Sequence, residues 1–275
     1  MHPTRLANEI RFHDQQAAQR ARTFAQQPHR LRFADGDYLD HAVWIAPAMA
    51  WLGELAGRQV LDLGCGHGMA AVVLARRGAA VTACDISAGY LAEARARAEA
   101  NGVTVRCVRA AGEALPFADA SFDCIWGAAV LHHLDLDRAV PELWRVLKPG
   151  GRAVFCEPWG GNPLLALARR WLPYPGKART PDEQPLNHAH LRRLAETFDR
   201  VEYTGYELLG MLGRLGARGR LLGRLRQLDE WLLVRCPRWQ RYGRYVVVRL
   251  TRAHGCDHAH GCDRDRDRDR AADCA

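Results

Sequence analysis

From Gln59 onward, short apolar runs alternate with stretches whose apolar positions recur at helical spacing. "QVLDL" at 59–63 reads as a strand, and Met69–Arg76 as a helix. "AVTACD" at 80–85 is a second strand, followed by a helix that Ser87 can cap and that ends at Asn101–Gly102. Leu91, Ala94 and Ala98 give that helix its apolar face. "VTVRCV" and "FDCIWGAAV" read as the next two strands. A helix from about Leu136 to Leu147 then closes at "KPGG", and "RAVFCE" makes a fifth strand. Five apolar strands separated by helices predict a parallel sheet covered on both faces. Such a sheet holds its ligand beyond the carboxyl ends of the strands. Those ends carry Gly64, Asp85, the segment after Val108, residues 127–133 and Glu157.

The flanks have a different texture. Residues 1–57 are Ala-rich and read as a helical N-terminal lid over that edge. After Glu157 a Pro/Gly-rich stretch, about 158–186, is too long for a simple turn and reads as a substrate-capping insertion. A helix at His188–Glu196 and a strand at Arg200–Tyr206 follow. A basic amphipathic helical region covers about 207–236, and "RYVVVRL" supplies the last strand. One α/β domain over 58–253 is expected. Residues 254–275 form a low-complexity tail expected to be disordered.

The turn after the first strand, "DLGCGHG", decides which ligand to expect. Gly64 and Gly66 match the first two glycines of the dinucleotide fingerprint, but Met69 stands at the third. Asp62 lies close before the helix start, where a carboxylate repels a pyrophosphate and suits a cationic ligand. Asp85 ends the second strand about 20 residues on, placed to accept hydrogen bonds from a ribose. These residues favour S-adenosylmethionine over NAD.

"VLDLGCGHG", "VTACDIS", "GEALPFADASFDCIWGAAVLHHL" and "RVLKPGGRAVFCEP" resemble, in order and spacing, the motifs of the class I S-adenosylmethionine-dependent methyltransferases, nearest to the branch containing the quinone-biosynthesis enzymes. The resemblance covers Gln59 to Pro158. It implies a Rossmann-like, doubly wound, seven-stranded, mainly parallel sheet and transfer of a methyl group to a small-molecule or lipid-like acceptor. It also implies that Gly64, Cys65 and Gly66 let the backbone approach the cofactor's methionine part, with Asp62 by its amino group. Asp85 would bind the ribose, Ile86 would pack on the adenine, and Ala128 would border the site. Many relatives carry an aspartate where this chain has Ala111, so its adenine contact passes to Glu113 or to the backbone at Gly112.

For the chemistry, His133 is the candidate base, with a structural role as the competing reading. Glu157 either faces the substrate or pairs with an arginine. In the insertion, Trp159, Trp171 and Tyr174 offer an apolar lining, and Arg169, Arg170 and Arg179 offer cations. The net charge of +8 is carried almost wholly by arginine, concentrated between Arg169 and Arg252. Nucleic acid is disfavoured as a substrate, because "GAAVLHHL" stands where base-flipping amino methyltransferases carry an Asn/Asp-Pro-Pro-aromatic run. Leu221, Leu225, Leu228 and Leu232 share one helical face with arginines nearby, which suits either peripheral contact with an anionic membrane or packing on the domain itself. Cys84, Cys107, Cys124 and Cys156 read as small buried thiols within strands. The tail's two "HGCD" copies match no zinc spacing, so no metal site is expected. The polar N-terminus lacks a secretory apolar region, which points to the cytoplasm, with the inner membrane surface as a peripheral site. Two other readings stand beside this one: a non-catalytic binding protein on the same fold, and an NAD(P) oxidoreductase.

Overall fold

The computed structural model describes residues 3–163, 165, 184–215 and 219–254. Seven strands form one sheet in the order β3-β2-β1-β4-β5-β7-β6. They are β1 (Gln59–Leu63), β2 (Ala80–Asp85), β3 (Val105–Arg109), β4 (Phe122–Ala128), β5 (Leu147–Pro158), β6 (Arg200–Tyr206) and β7 (Tyr245–Thr251). Strands β1 to β5 pair in parallel, and β7 runs antiparallel between β5 and β6. The helices are α1 (Pro3–Gln26), α2 (Asp35–Leu39), α3 (Ile45–Ala50), α4 (Met69–Arg76), α5 (Ala88–Ala100), α6 (Leu136–Val146), α7 (His188–Ala195) and α8 (Gly219–Arg235).

Both faces of the sheet are buried, which is why Val60, Leu61 and Leu63 of β1 are apolar on opposite faces. Leu61 and Leu63 point into one core with Ile125, Phe155 and, from α6, Val140 and Leu143. Val60 points into the other, with Val73 and Leu74 of α4, Leu91 of α5 and Met49 of α3. The strand order reverses between β1 and β4, so a crevice opens at their carboxyl ends.

Most boundaries fall where the sequence places them. Ser87 caps α5 by accepting the Tyr90 N–H. β3 starts two residues late, at Val105, and β4 ends two early, at Ala128, but the largest difference is β5, which begins at Leu147 and takes in "KPGG", with a register shift against β4 between Phe122 and Cys124. The glycines there allow an irregular strand to start in what reads as a turn. Helix α1 is clamped to α5 by Glu93, which accepts from Arg20 Nε (2.9 Å) and Nη2 (2.7 Å) and from Arg97 Nη2 (2.7 Å). Cys84, Cys124 and Cys156 are buried thiols, and Cys107 on β3 is half-buried. Among the described residues, no helix is long and apolar enough to cross a membrane. Trp171, Tyr174, Arg169, Arg170, Arg179 and the tail beyond His254 lie outside the described residues.

Candidate active site

The turn after β1 uses backbone conformations that glycine adopts at little cost. Gly64, Gly66 and Gly68 have φ of +63°, +49° and +79°. Their surroundings differ. A Cβ at Gly64 would lie 2.6 Å from Val130 Cγ2, and one at Gly68 would lie 2.6 Å from the Ala94 Cβ. Gly68 therefore provides the close approach of the turn to α5. At Gly66 a Cβ meets nothing within 4 Å, and Gly66 borders a cavity of about 180 Å³.

That cavity lies at the carboxyl ends of β1, β2 and β4. Gly64, Gly66, Asp85, Ile86, Gly112, Glu113 and His133, all singled out from the sequence, line it together. Asp85 accepts the Gly66 N–H (2.9 Å) on one oxygen and the Ser87 N–H (2.8 Å) on the other. Burial pushes its pKa up, while those N–H groups and His13 pull it down, and burial prevails. Glu113 accepts the Asp135 N–H (2.9 Å) on Oε1. Its Oε2 is buried with no hydrogen-bond partner among the described residues.

Three residues from the sequence reading sit beside the wall, not in it. Cys65 is buried, and its N–H bonds to the Cys84 carbonyl, lacing the turn to β2. Ala128 ends β4, and its neighbour Ala129, at φ +56°, takes the lining position. Asp62 is buried, with Oδ2 lacking a hydrogen-bond partner among the described residues. Burial, with a smaller contribution from the charge of Asp85, pushes its pKa up to about 8.

Helix α1 closes the other side. Leu6, Glu9 and His13, at spacings of three and four, present one face to the cavity. Glu9 is buried between two imidazoles, 3.4 Å from His13 Nε2 and 3.4 Å from His133 Nδ1. Arg5 donates to the His133 carbonyl (2.6 Å). Burial opposes charge on His13, but Glu9 and Asp85 outweigh it and raise its pKa. Sequence reasoning missed Glu9 and His13. The Glu-x-x-x-His spacing was visible, but nothing local ties it to a residue 120 positions away.

Glu157 follows neither of its expected readings. It is fully buried, accepts the Val130 and Leu131 N–H groups (2.9 and 2.8 Å), and meets His132 Nδ1 at 2.6 Å. Adjacent strands put the end of β5 beneath the turn after β4, so this carboxylate braces that turn. Trp159 is likewise a core residue. It has no exposed surface, and its Nε1–H donates to the Arg241 carbonyl (2.7 Å). A second cleft, of about 330 Å³, shares Leu134 with the cavity. Its wall includes Leu131, His132, Leu136, Leu186, His190 and Arg193.

The profile of the family described as "Methyltransferase domain" matches residues 61–155, the span that supplies the glycine turn, Asp85, Glu113 and His133 to this site. Demethylmenaquinone methyltransferase of Tropheryma whipplei is 36% identical over 186 residues, covering 65% of this chain and 74% of the relative. The chain belongs to the class I S-adenosylmethionine-dependent methyltransferases. Demethylmenaquinone methyltransferase of Thermobifida fusca is 45% identical over 122 residues, 42% of this chain; the chain spans about half (49%) of that relative's length. Among solved structures, the geranyl diphosphate C-methyltransferase of Streptomyces coelicolor, in complex with Mg2+, geranyl diphosphate and S-adenosyl-L-homocysteine, shares the fold. Its TM-score is 0.51 at 19% identity, over 76% of this chain and 79% of that one.

Proposed function

We propose that the cavity holds S-adenosylmethionine and that the chain methylates a lipid-like acceptor of the quinol or phenol class, with His133 taking the acceptor's proton. The observation that carries this reading is the convergence of Asp85, Gly66 and Glu113 on one cavity, walled opposite by Glu9 and His13. The residues fit the cofactor in three ways. Gly66 leaves open space where a side chain would intrude. Glu113 has one buried carboxylate oxygen without a partner among the described residues, suited to an adenine amino group. Asp62 has another, suited to an ammonium.

When bound, S-adenosylmethionine supplies a methyl group already activated on a sulfonium. The protein's work is to align the acceptor, exclude water and accept one proton. Asp85 would hold the ribose with the lone pairs its two backbone donors leave. Ile86 and Gly112 would flank the adenine, and Leu6 of α1 would cover the site. The acceptor atom gains a methyl group and loses its proton, which His133 holds at Nε2 while Nδ1 faces Glu9. Glu9 is a positioning residue that stabilises the resulting imidazolium. The leucine-lined cleft with His190 and Arg193 suits an acidic ring on an apolar body. The similarity to demethylmenaquinone methyltransferases points to the same acceptor class.

His133 is packed on several sides. Glu9 and His13 face it from α1, Arg5 holds its carbonyl, and His132 stacks beside it at 4.1 Å between ring centroids. His133→Gln should lower kcat by about a hundredfold at every pH tested. Methylation of phenols and short-chain quinols, followed by S-adenosylhomocysteine release across pH, is the assay. An unchanged kcat would leave His133 with a purely structural role. Absence of methyl transfer to every quinol and phenol would remove the acceptor assignment.

A further inference from the structure

The large apolar side chains left exposed on this protein are not scattered. Among the described residues, six of the seven fall between Leu212 and Trp239, within the connection from β6 to β7. Monomeric proteins seldom gather exposed apolar residues this way without a partner for them. The same segment is strongly basic: from Gly219 to Tyr242 six arginines stand against two acids, Asp229 and Glu230, and Asp229 is buried.

Helix α8 sorts these residues by face. Its inner side is fixed to the domain through buried Leu233 and through Asp229, which accepts the Leu209 and Gly210 N–H groups (both 2.7 Å). The leucine stripe seen in the sequence is split. Leu225 and Leu232 are half-buried, while Leu221 is 57% and Leu228 44% exposed, and Trp231 beside them is 57% exposed. At 100° per residue, Arg220, Trp231, Arg224, Arg235, Leu228 and Leu221 share one sector of about 100°. All six are exposed. Glu230, the helix's one exposed acid, lies outside that sector. The flank is thus apolar, cationic and free of negative charge, along a helix roughly 25 Å long.

Topology puts this flank on the working edge of the sheet. Pro158 of β5 and Tyr206 of β6 both pair with Tyr245, the first residue of β7. The β6–β7 connection therefore leaves from the edge that holds the carboxyl ends of β1 and β4, where the cavity opens.

We infer that the outer flank of α8 is a docking surface for an anionic lipid bilayer, with Leu221, Leu228 and Trp231 entering the interface and Arg220, Arg224 and Arg235 meeting the headgroups. Charge complementarity selects this occupant. A second copy of this chain would bring a cationic flank against its like, whereas an anionic leaflet attracts each arginine near its surface. Bringing a lipid-like acceptor to the cavity would be the use of such docking and rests on the acceptor reading above. The docking itself needs neither acceptor nor cofactor, so the two fail separately.

The test is co-sedimentation of the full chain with vesicles of phosphatidylglycerol and phosphatidylcholine, against phosphatidylcholine alone, at low and high salt. Binding to the anionic vesicles alone, weakened by salt and accompanied by a blue shift of tryptophan fluorescence, is expected. Arg220→Glu/Arg224→Glu/Arg235→Glu and, separately, Leu228→Ser/Trp231→Ser should each reduce the partition at least tenfold. Both variants should bind S-adenosylmethionine as the parent does, since neither touches the cavity. Equal binding to neutral vesicles, binding indifferent to both variants, or no binding at low salt would overturn the inference. So would a dimer that Leu228→Ser/Trp231→Ser dissolves.

Discussion

At the scale of single residues, the site is defined by carboxylates kept in unfavourable surroundings. Asp62 carries the largest such cost. An unfolded aspartate ionises near pH 3.8, whereas Asp62 in the fold holds its proton up to about pH 8. The unfolded chain thus gives up a proton that the folded chain keeps, so the contribution of Asp62 to stability falls as pH rises from about 4 to about 8. Asp62→Asn removes that titration. It should raise the ligand-free stability at pH 7 by roughly 2–4 kcal/mol, read from urea unfolding at pH 5, 7 and 8.5, with the gain smallest at pH 5. Equal effects at all three would show that Asp62 ionises alike in the folded and the unfolded chain. The glycines separate in the same way. Gly64→Ala meets Val130 and should cost about 2 kcal/mol of fold stability. Gly66→Ala has open space around it and pays only the left-handed backbone, about 1 kcal/mol. Gly66→Ala should nevertheless weaken cofactor binding at least tenfold, because its methyl occupies the cavity's floor. Thermal unfolding beside calorimetric titration tells the two variants apart.

Among the elements, α1 links the cavity to the rest of the chain. Its clamp is Glu93, buried and shared between Arg20 and Arg97. Arg20→Ala removes only the α1 side of that cluster and should cost about 1 kcal/mol, since the guanidinium is part-exposed. Faster amide exchange confined to residues 3–26 and a several-fold weaker affinity for S-adenosylmethionine are expected. Loss of protection across the sheet instead would mean that α1 is part of the cooperative core. How legible each element was follows from how local its causes are. β1, α4, β2 and α5 were readable almost to the residue, since glycines, the Ser87 cap and unbroken apolar runs act within a few positions. β5 was not, because its first turn is shaped by a register shift against β4. The same limit explains the site. Gly64, Gly66, Asp85 and Glu113 sit in one motif-rich span, whereas Glu9 and His13 reach the cavity only through tertiary packing of a distant helix. Glu157 could be located at a strand end, but which way its side chain turned depended on the neighbouring strand.

For the molecule as a whole, the parallel sheet gathers its chemistry at one edge. The glycine turn, Asp85, the His132–Glu157 brace and the β6–β7 connection all lie there because parallel strands share their carboxyl ends. The net charge of +8 is uneven in the same sense, with arginine dense on the β6–β7 connection. The central claim is that the cavity beneath α1 is the S-adenosylmethionine site. Calorimetric titration of the intact chain and of Asp85→Ala with S-adenosylmethionine, with NAD as the control, tests it most directly. One S-adenosylmethionine per chain, no heat from NAD, and at least ~30-fold weaker binding in an Asp85→Ala variant that still unfolds cooperatively is the predicted result. Unchanged affinity in that variant, or binding of NAD in place of S-adenosylmethionine, would contradict it.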